Sequence, residues 1–239
     1  SKKNYQMILT AHQPVYLPWM GLFHKIALAD LFCYFDIVQY QKKDYNNRNK
    51  IKTKNGELWL SVPVQSKNHL EKNVSEILII QDEWVKKHIK SIELNYKKTP
   101  FFDLYFPRIK SILINESEKS LGWLNFQLLE YFLACLDINT PVVKASDYNF
   151  KGRGSDLVLD MCIELGADKY IFGEQGKNYA DIGSFKEAGI EVYFQKYKHP
   201  IYKQVGWGFI PYMSIIDLLF NKGNESFKIL MSKNDQYVA

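Results

Sequence analysis

With 239 residues, 46% of them hydrophobic, and a formal net charge of +5, the chain has the composition of an ordinary globular protein with enough material for a substantial core. Its 31 Lys and Arg are interspersed with 26 Asp and Glu, so the excess is too mild and too scattered for a nucleic-acid stripe, though it suits a phosphate-bearing small molecule. Cys33, Cys135 and Cys162 sit apart in apolar segments without a CxxC pair; this disfavours a disulfide scaffold or zinc site and fits a reducing cytoplasm, and no apolar run approaches the roughly 20 residues of a membrane span.

Met7 to Thr10 reads as a first buried strand and Leu22 to Leu28 as a helix. Between them lies a loop carrying His12, Gln13, Pro14, Tyr16, Pro18 and Trp19, with His24 just inside the helix. The two prolines fix φ and push their predecessors toward extended backbone, so the loop is expected to be rigid. Leu31 to Phe35 reads as a second strand ending at Asp36, parallel to the first across a helical crossover. After the polar stretch from 41 to 49, Ile51–Thr53 and Leu58–Val62 flank Asn55-Gly56, a hairpin signal in which both turn positions need positive φ. Ile77 to Ile80 is a further strand candidate.

Asp82 can cap a helix from about 83 to 96, with Trp84, His88, Ile92 and Tyr96 on one face. Helices are expected near 104–114 and 121–136, a short strand at 141–144, and a helix at 156–165 that Gly166 terminates. Lys169–Phe172 and Ile190–Phe194 read as strands flanking a short helix at 185–188, and helices near 212–220 and 227–231 close the pattern. The fold class expected is α/β: a mostly parallel sheet with flanking helices, an Asn-Gly hairpin and a helical insertion at about 82–136, in a single domain over 1–239.

Ligands of open α/β sheets bind beyond the carboxyl ends of the strands, which selects the candidate residues. His12, His24 and Asp36 are the candidate catalytic groups, His12 as general base and Asp36 as an orienting acid. Gln13, Tyr16, Trp19 and Gln39 are candidate substrate contacts, as are Asn47 and Arg48, whose guanidinium suits bidentate recognition of phosphate or carboxylate. Gly173 to Tyr179 offers Cβ-free backbone with Tyr179 and with Lys177 as a candidate for an anion such as phosphate; taken alone the segment reads first as a simple turn. His199, Tyr202 and Gln204 follow the last strand in a stretch without apolar period, where aromatics next to polar groups suit a sugar or nucleotide. The loop at 13–21 and the segments around Asp36, Arg48 and His199 are expected to meet at one pocket. No Walker loop, GxGxxG, GxSxG or HExxH occurs, so the sequence assigns neither metal nor cofactor.

The run His-Gln-Pro-x-Tyr-Leu-Pro-Trp-x-Gly-x-x-His-Lys at 12–25 resembles the WbqC-like proteins. So do Asp36-x-x-Gln39, Asn47-Arg48-Asn49-Lys50-Ile51, Gly56-x-x-Trp59-Leu60-x-Val62-Pro63-Val64, the 173–179 segment, His199-Pro200-x-Tyr202-x-Gln204 and Ile216–Asn221. The resemblance implies a cytoplasmic bacterial protein of surface-polysaccharide (O-antigen) biosynthesis that transfers a glycyl or other acyl group to a nucleotide-linked amino sugar. Its partners would be that nucleotide sugar and an acyl donor such as acyl-CoA or a carrier protein. Two alternatives stay open: a nucleotidyltransferase-like, ATP-dependent carboxylate-activating enzyme, and a non-catalytic sugar-binding protein of an assembly complex.

Overall fold

The computed structural model of the chain describes residues 5–117 and 120–234. In chain order the elements are β1 (Ile8–His12), α1 (Met20–Ala27), β2 (Leu31–Tyr34), β3 (Arg48–Thr53), β4 (Gly56–Ser61), α2 (Trp84–Tyr96), α3 (Phe102–Glu116) and α4 (Leu121–Cys135). There follow β5 (Val142–Lys144), α5 (Ser155–Glu164), β6 (Lys169–Phe172), α6 (Ile182–Glu187), β7 (Glu191–Phe194), α7 (Ile215–Lys222) and α8 (Ser226–Met231). The fold is α/β. Five parallel strands lie in the order β5-β2-β1-β6-β7, and β3 and β4 form a separate antiparallel hairpin.

Strand alternation explains the two layers of core on the sheet. Phe32 and Tyr34 of β2 join a cluster with α1, α2, α3, α4 and α7, whereas Cys33 and Phe35 face the other way, into a cluster with Val158, Met161 and Cys162 of α5 and Phe185 of α6. The short runs at β1, β2 and β6 are almost wholly apolar because both sheet faces are covered, as parallel sheets require. Helices α2, α3 and α4 occupy the chain between β4 and β5, over the stretch where the sequence pattern is helical.

Two local expectations change. Ile77–Ile80 forms no strand; Leu78 and Ile79 make isolated bridges to Ser120 and Val64, since this segment threads between a 3-10 turn at Val74–Glu76 and α2. In the hairpin, Thr53 pairs with Gly56, so Lys54 and Asn55 occupy the turn. Only Gly56, at φ +110°, carries the positive dihedral, whereas the sequence reading required it at both Asn55 and Gly56. The glycine absorbs the twist at the foot of β4, and the turn itself stays in ordinary backbone.

Candidate functional site

Numbered in chain order, the five parallel strands run 3-2-1-4-5 across the sheet, so the direction of winding reverses between β1 and β6. Loops leaving those two strands diverge and leave a crevice at their carboxyl ends. A cavity of about 710 Å³ opens there, within the range of small-molecule sites. His12 lines it from the end of β1, Gln13 and Trp19 from the loop after it, Lys25 from α1, Asp44 and Tyr45 from the approach to β3, Asn49 from β3 itself, Gly154 from the head of α5, Gly173, Gln175, Gly176 and Tyr179 from the segment after β6, and Tyr212 from the approach to α7.

The loop after β1 is held from outside the sheet. Asn46 Nδ2 donates to the Pro14 carbonyl at 2.7 Å and Asn49 Nδ2 to that of Tyr16 at 3.1 Å, while the Tyr16 and Ile215 amides bond Tyr45 and Pro18. Leu17 is fully buried with φ 44°, a left-handed conformation that a branched side chain adopts only when its surroundings over-determine it. The Trp19 indole lies across Gly21, where any Cβ would collide with the ring, and meets His199 and Tyr212. On the facing wall a Cβ at Gly176 would come within 2.6 Å of the Phe172 side chain, so glycine lets the turn after β6 fold tightly onto its own strand.

Two basic side chains, His12 and Lys25, belong to the lining. His12 ends the central strand, and its ring makes no hydrogen bond among the described residues. Burial, helped by the Lys25 charge, lowers its pKa to about 3, so it is neutral at physiological pH. Lys25 is 3% exposed; its Nζ donates to the Ala11 carbonyl at 2.9 Å, and desolvation brings its pKa down to about 7. The sequence reading passed over Lys25 because a lysine beside His24 on a helix reads as surface charge. Its heptapeptide context, apolar on both sides, was the available signal: Leu22, Phe23 and Ile26 are all buried with it.

Of the residues the sequence singles out, His12, Gln13, Trp19 and Tyr179 line the cavity. The others lie outside the lining. His24 points away, its Nδ1 taking a 2.8 Å hydrogen bond from Gln195 and its ring packing on Tyr197. Asp36 is buried, with its two oxygens accepting from the Ser146 amide (2.9 Å) and hydroxyl (2.6 Å), so it braces the turn after β5. Tyr16 is fully buried and donates to His88 Nδ1 at 2.8 Å, while His88 Nε2 donates to the Ser61 carbonyl. Gln39 is exposed and bridges to Asn73, and Asn47 donates to the Val62 carbonyl. Arg48 donates to the carbonyls of Lys43 and Asp44 and stacks 4.2 Å over Trp59, so its fork is already occupied by backbone.

Lys177 lies 6.0 Å over the Phe194 ring and stays outside the lining. His199 donates from Nδ1 to Pro200 and accepts the Tyr212 amide at Nε2, which sets Tyr212, at φ 66°, against the cavity. Tyr202 and Gln204 both donate to Asp217, a fully buried carboxylate that also receives the Tyr96 hydroxyl. The expected meeting at one pocket takes place only in part: the segments around Asp36 and Arg48 reach it with Phe35 and Asn49, whereas the segment around His199 adds no lining residue and touches the cavity through its hydrogen bond to Tyr212.

No cluster of His, Cys, Asp and Glu able to hold a metal ion occurs among the described residues, and no described helix is long and apolar enough to cross a membrane. No solved structure matches the chain. The mycobacterial protein described as "Uncharacterized protein Rv1507c", from Mycobacterium tuberculosis (strain ATCC 25618 / H37Rv), is 35% identical over 215 residues, which cover 90% of this chain and 93% of that one. The profile of the WbqC-like protein family matches residues 13–229, from the loop after β1 into α8, and the chain belongs to the WbqC-like family.

Proposed function

We propose that the protein transfers a glycyl or other acyl group to the amine of a nucleotide-linked amino sugar, in the assembly of a bacterial surface polysaccharide. The observation that carries this reading is a neutral histidine at the end of the central strand, facing a cavity of about 710 Å³ at the point where the sheet reverses its winding. In the proposed step the sugar amine attacks the carbonyl of an acyl thioester. His12 accepts the proton lost from nitrogen as the N–C bond forms, the C–S bond breaks, and the thiolate leaves and is protonated. An anionic ligand drawn against Lys25 would offset the Coulombic part of the depression on His12 and make it a better base. Trp19, Tyr45, Tyr179 and Tyr212 supply aromatic faces for the sugar or base.

The strand order also favours a second reading, ATP-dependent activation of a carboxylate, because nucleotides bind at the switch point of such sheets. Turnover assays separate the two: N-acylated sugar formed from a thioester supports transfer, whereas pyrophosphate released from ATP and glycine supports activation. Saturable sugar-nucleotide binding with neither product would make the protein a binding module. For the transfer reading, His12→Asn should preserve melting and ligand binding while lowering kcat by roughly 10²- to 10⁴-fold. Wild-type turnover at saturation in that variant would remove His12 from the chemistry.

A further inference from the structure

Lys25 stands out because the proposed transfer gives it no ligand of its own. It is buried, none of the ion pairs among the described residues includes it, and its one hydrogen bond to the Ala11 carbonyl leaves two N–H donors. A lysine in this position without a counter-charge is unfavourable for the protein alone. Its Nζ meets the carboxyl end of β1 at Ala11, on the lining of a cavity to which Gly154, Gly173 and Gly176 also contribute. The other cations assigned to phosphate from the sequence are placed elsewhere: Arg48 on two backbone carbonyls, Lys177 outside the lining.

We propose that Lys25 anchors the pyrophosphate of the nucleotide-linked ligand in the crevice between β1 and β6. The inference rests on the reading of the cavity as a nucleotide-sugar site. Switch-point geometry places phosphates there, glycine backbone allows their close approach, and the buried ammonium gains the counter-charge it lacks. The titratable groups facing the same cavity are His12 from β1, Asp44 and Tyr45 before β3, Tyr170 from β6, Tyr179 after it and Tyr212 before α7. Asp44 is the one carboxylate in that lining, and its Oδ1 accepts the Tyr45 amide at 2.8 Å. Desolvation leaves Lys25 largely neutral at pH 8, so gripping a dianion requires it to take up a proton.

Calorimetry at pH 8, in buffers of different ionisation enthalpy, tests this with UDP-glucose, dTDP-glucose and GDP-mannose against their free nucleosides. The pyrophosphate diesters do not titrate near neutrality, so any proton uptake belongs to the protein. At least one nucleotide sugar should bind about tenfold or more tighter than its nucleoside, with uptake of roughly 0.5–1 proton. Lys25→Met should lose about tenfold or more in affinity together with the uptake. Lys25→Arg, which carries a permanent charge, should retain binding but take up no proton. Where the arginine variant fails to fold, the methionine variant alone decides. Unchanged affinity in Lys25→Met, uptake that persists in it, or no binding of any nucleotide sugar by the wild type would overturn the inference. Lys25-dependent binding without acyl transfer would instead discard the transferase reading and leave the anchor standing.

Discussion

Replacing Lys25 with methionine should make the fold more stable at and below neutral pH. A fall in pKa from 10.5 to about 7, at 1.36 kcal/mol per pKa unit, corresponds to roughly 5 kcal/mol of unfavourable free energy when the ammonium is charged in both states. The group is 3% exposed, so solvent screening removes little of it. Between the two values the unfolded chain binds the proton and the folded one does not, so wild-type stability rises with pH across that window. From pH 6 to pH 9 the rise from this group should be about 3 kcal/mol. Methionine fills a similar volume, removes the titration, and forfeits the bond to the Ala11 carbonyl, worth about 1 kcal/mol. Urea unfolding at pH 6, 7.5 and 9 should therefore show the variant ahead by about 3–4 kcal/mol at pH 6, narrowing to about 1 kcal/mol at pH 9. Taking the difference between the proteins cancels His88, and burial, the larger cause of the depression at His12, keeps that ring neutral over this range in the variant's fold as well. Parallel pH profiles, or a variant less stable at pH 6, would refute an uncompensated buried lysine.

Two further substitutions probe the frame. Asp36→Ala strands the Ser146 amide and hydroxyl and should cost about 2–4 kcal/mol in urea unfolding while nucleotide-sugar affinity per folded molecule stays within about twofold; a stable variant with lost affinity would return Asp36 to the site. Gly176→Ala drives a methyl into Phe172 and should cost about 1–3 kcal/mol and weaken ligand binding by reshaping the wall after β6; unchanged melting and affinity would show that the turn has slack.

The sheet was legible because its signals are local. Lys169–Phe172 reads as a strand and is β6 to the residue, and 83–96, 121–136 and 156–165 fall within one residue of α2, α4 and α5 at either end. Periodicity and caps act over one or two turns, and tertiary contacts here agree with them. The site was legible only as a loop. His24 and Lys25 are neighbours in sequence but about 100° apart around α1, so one packs on Tyr197 and the other reaches Ala11 and the cavity. The apolar neighbours signal burial for both alike and do not tell which of the two reaches the cavity. Arg48 misled for a similar reason: the carbonyls that occupy it belong to a turn whose closure the sequence does not reveal. Asn46 and Asn49, the side chains that hold the loop after β1, flank the pair that chemistry alone would choose, Asn47 and Arg48.

The central position of β1 also bears on how the chain is made. Its partners on one side, β2 and through it β5, are complete by residue 144, whereas its partner on the other side, β6, ends at residue 172. A ribosome adding about 5–20 residues per second needs roughly 1–6 s to cover that gap. During it, a half-sheet of β5, β2 and β1 can assemble while the β1 edge keeps its hydrogen-bonding groups unpaired. Thr10, whose hydroxyl donates to Ile171, and the apolar residues Leu9 and Ala11 lie on that open edge. The strand that carries His12 is therefore open to wrong pairing in the nascent protein, and the cavity acquires its second wall only when β6 docks beside it.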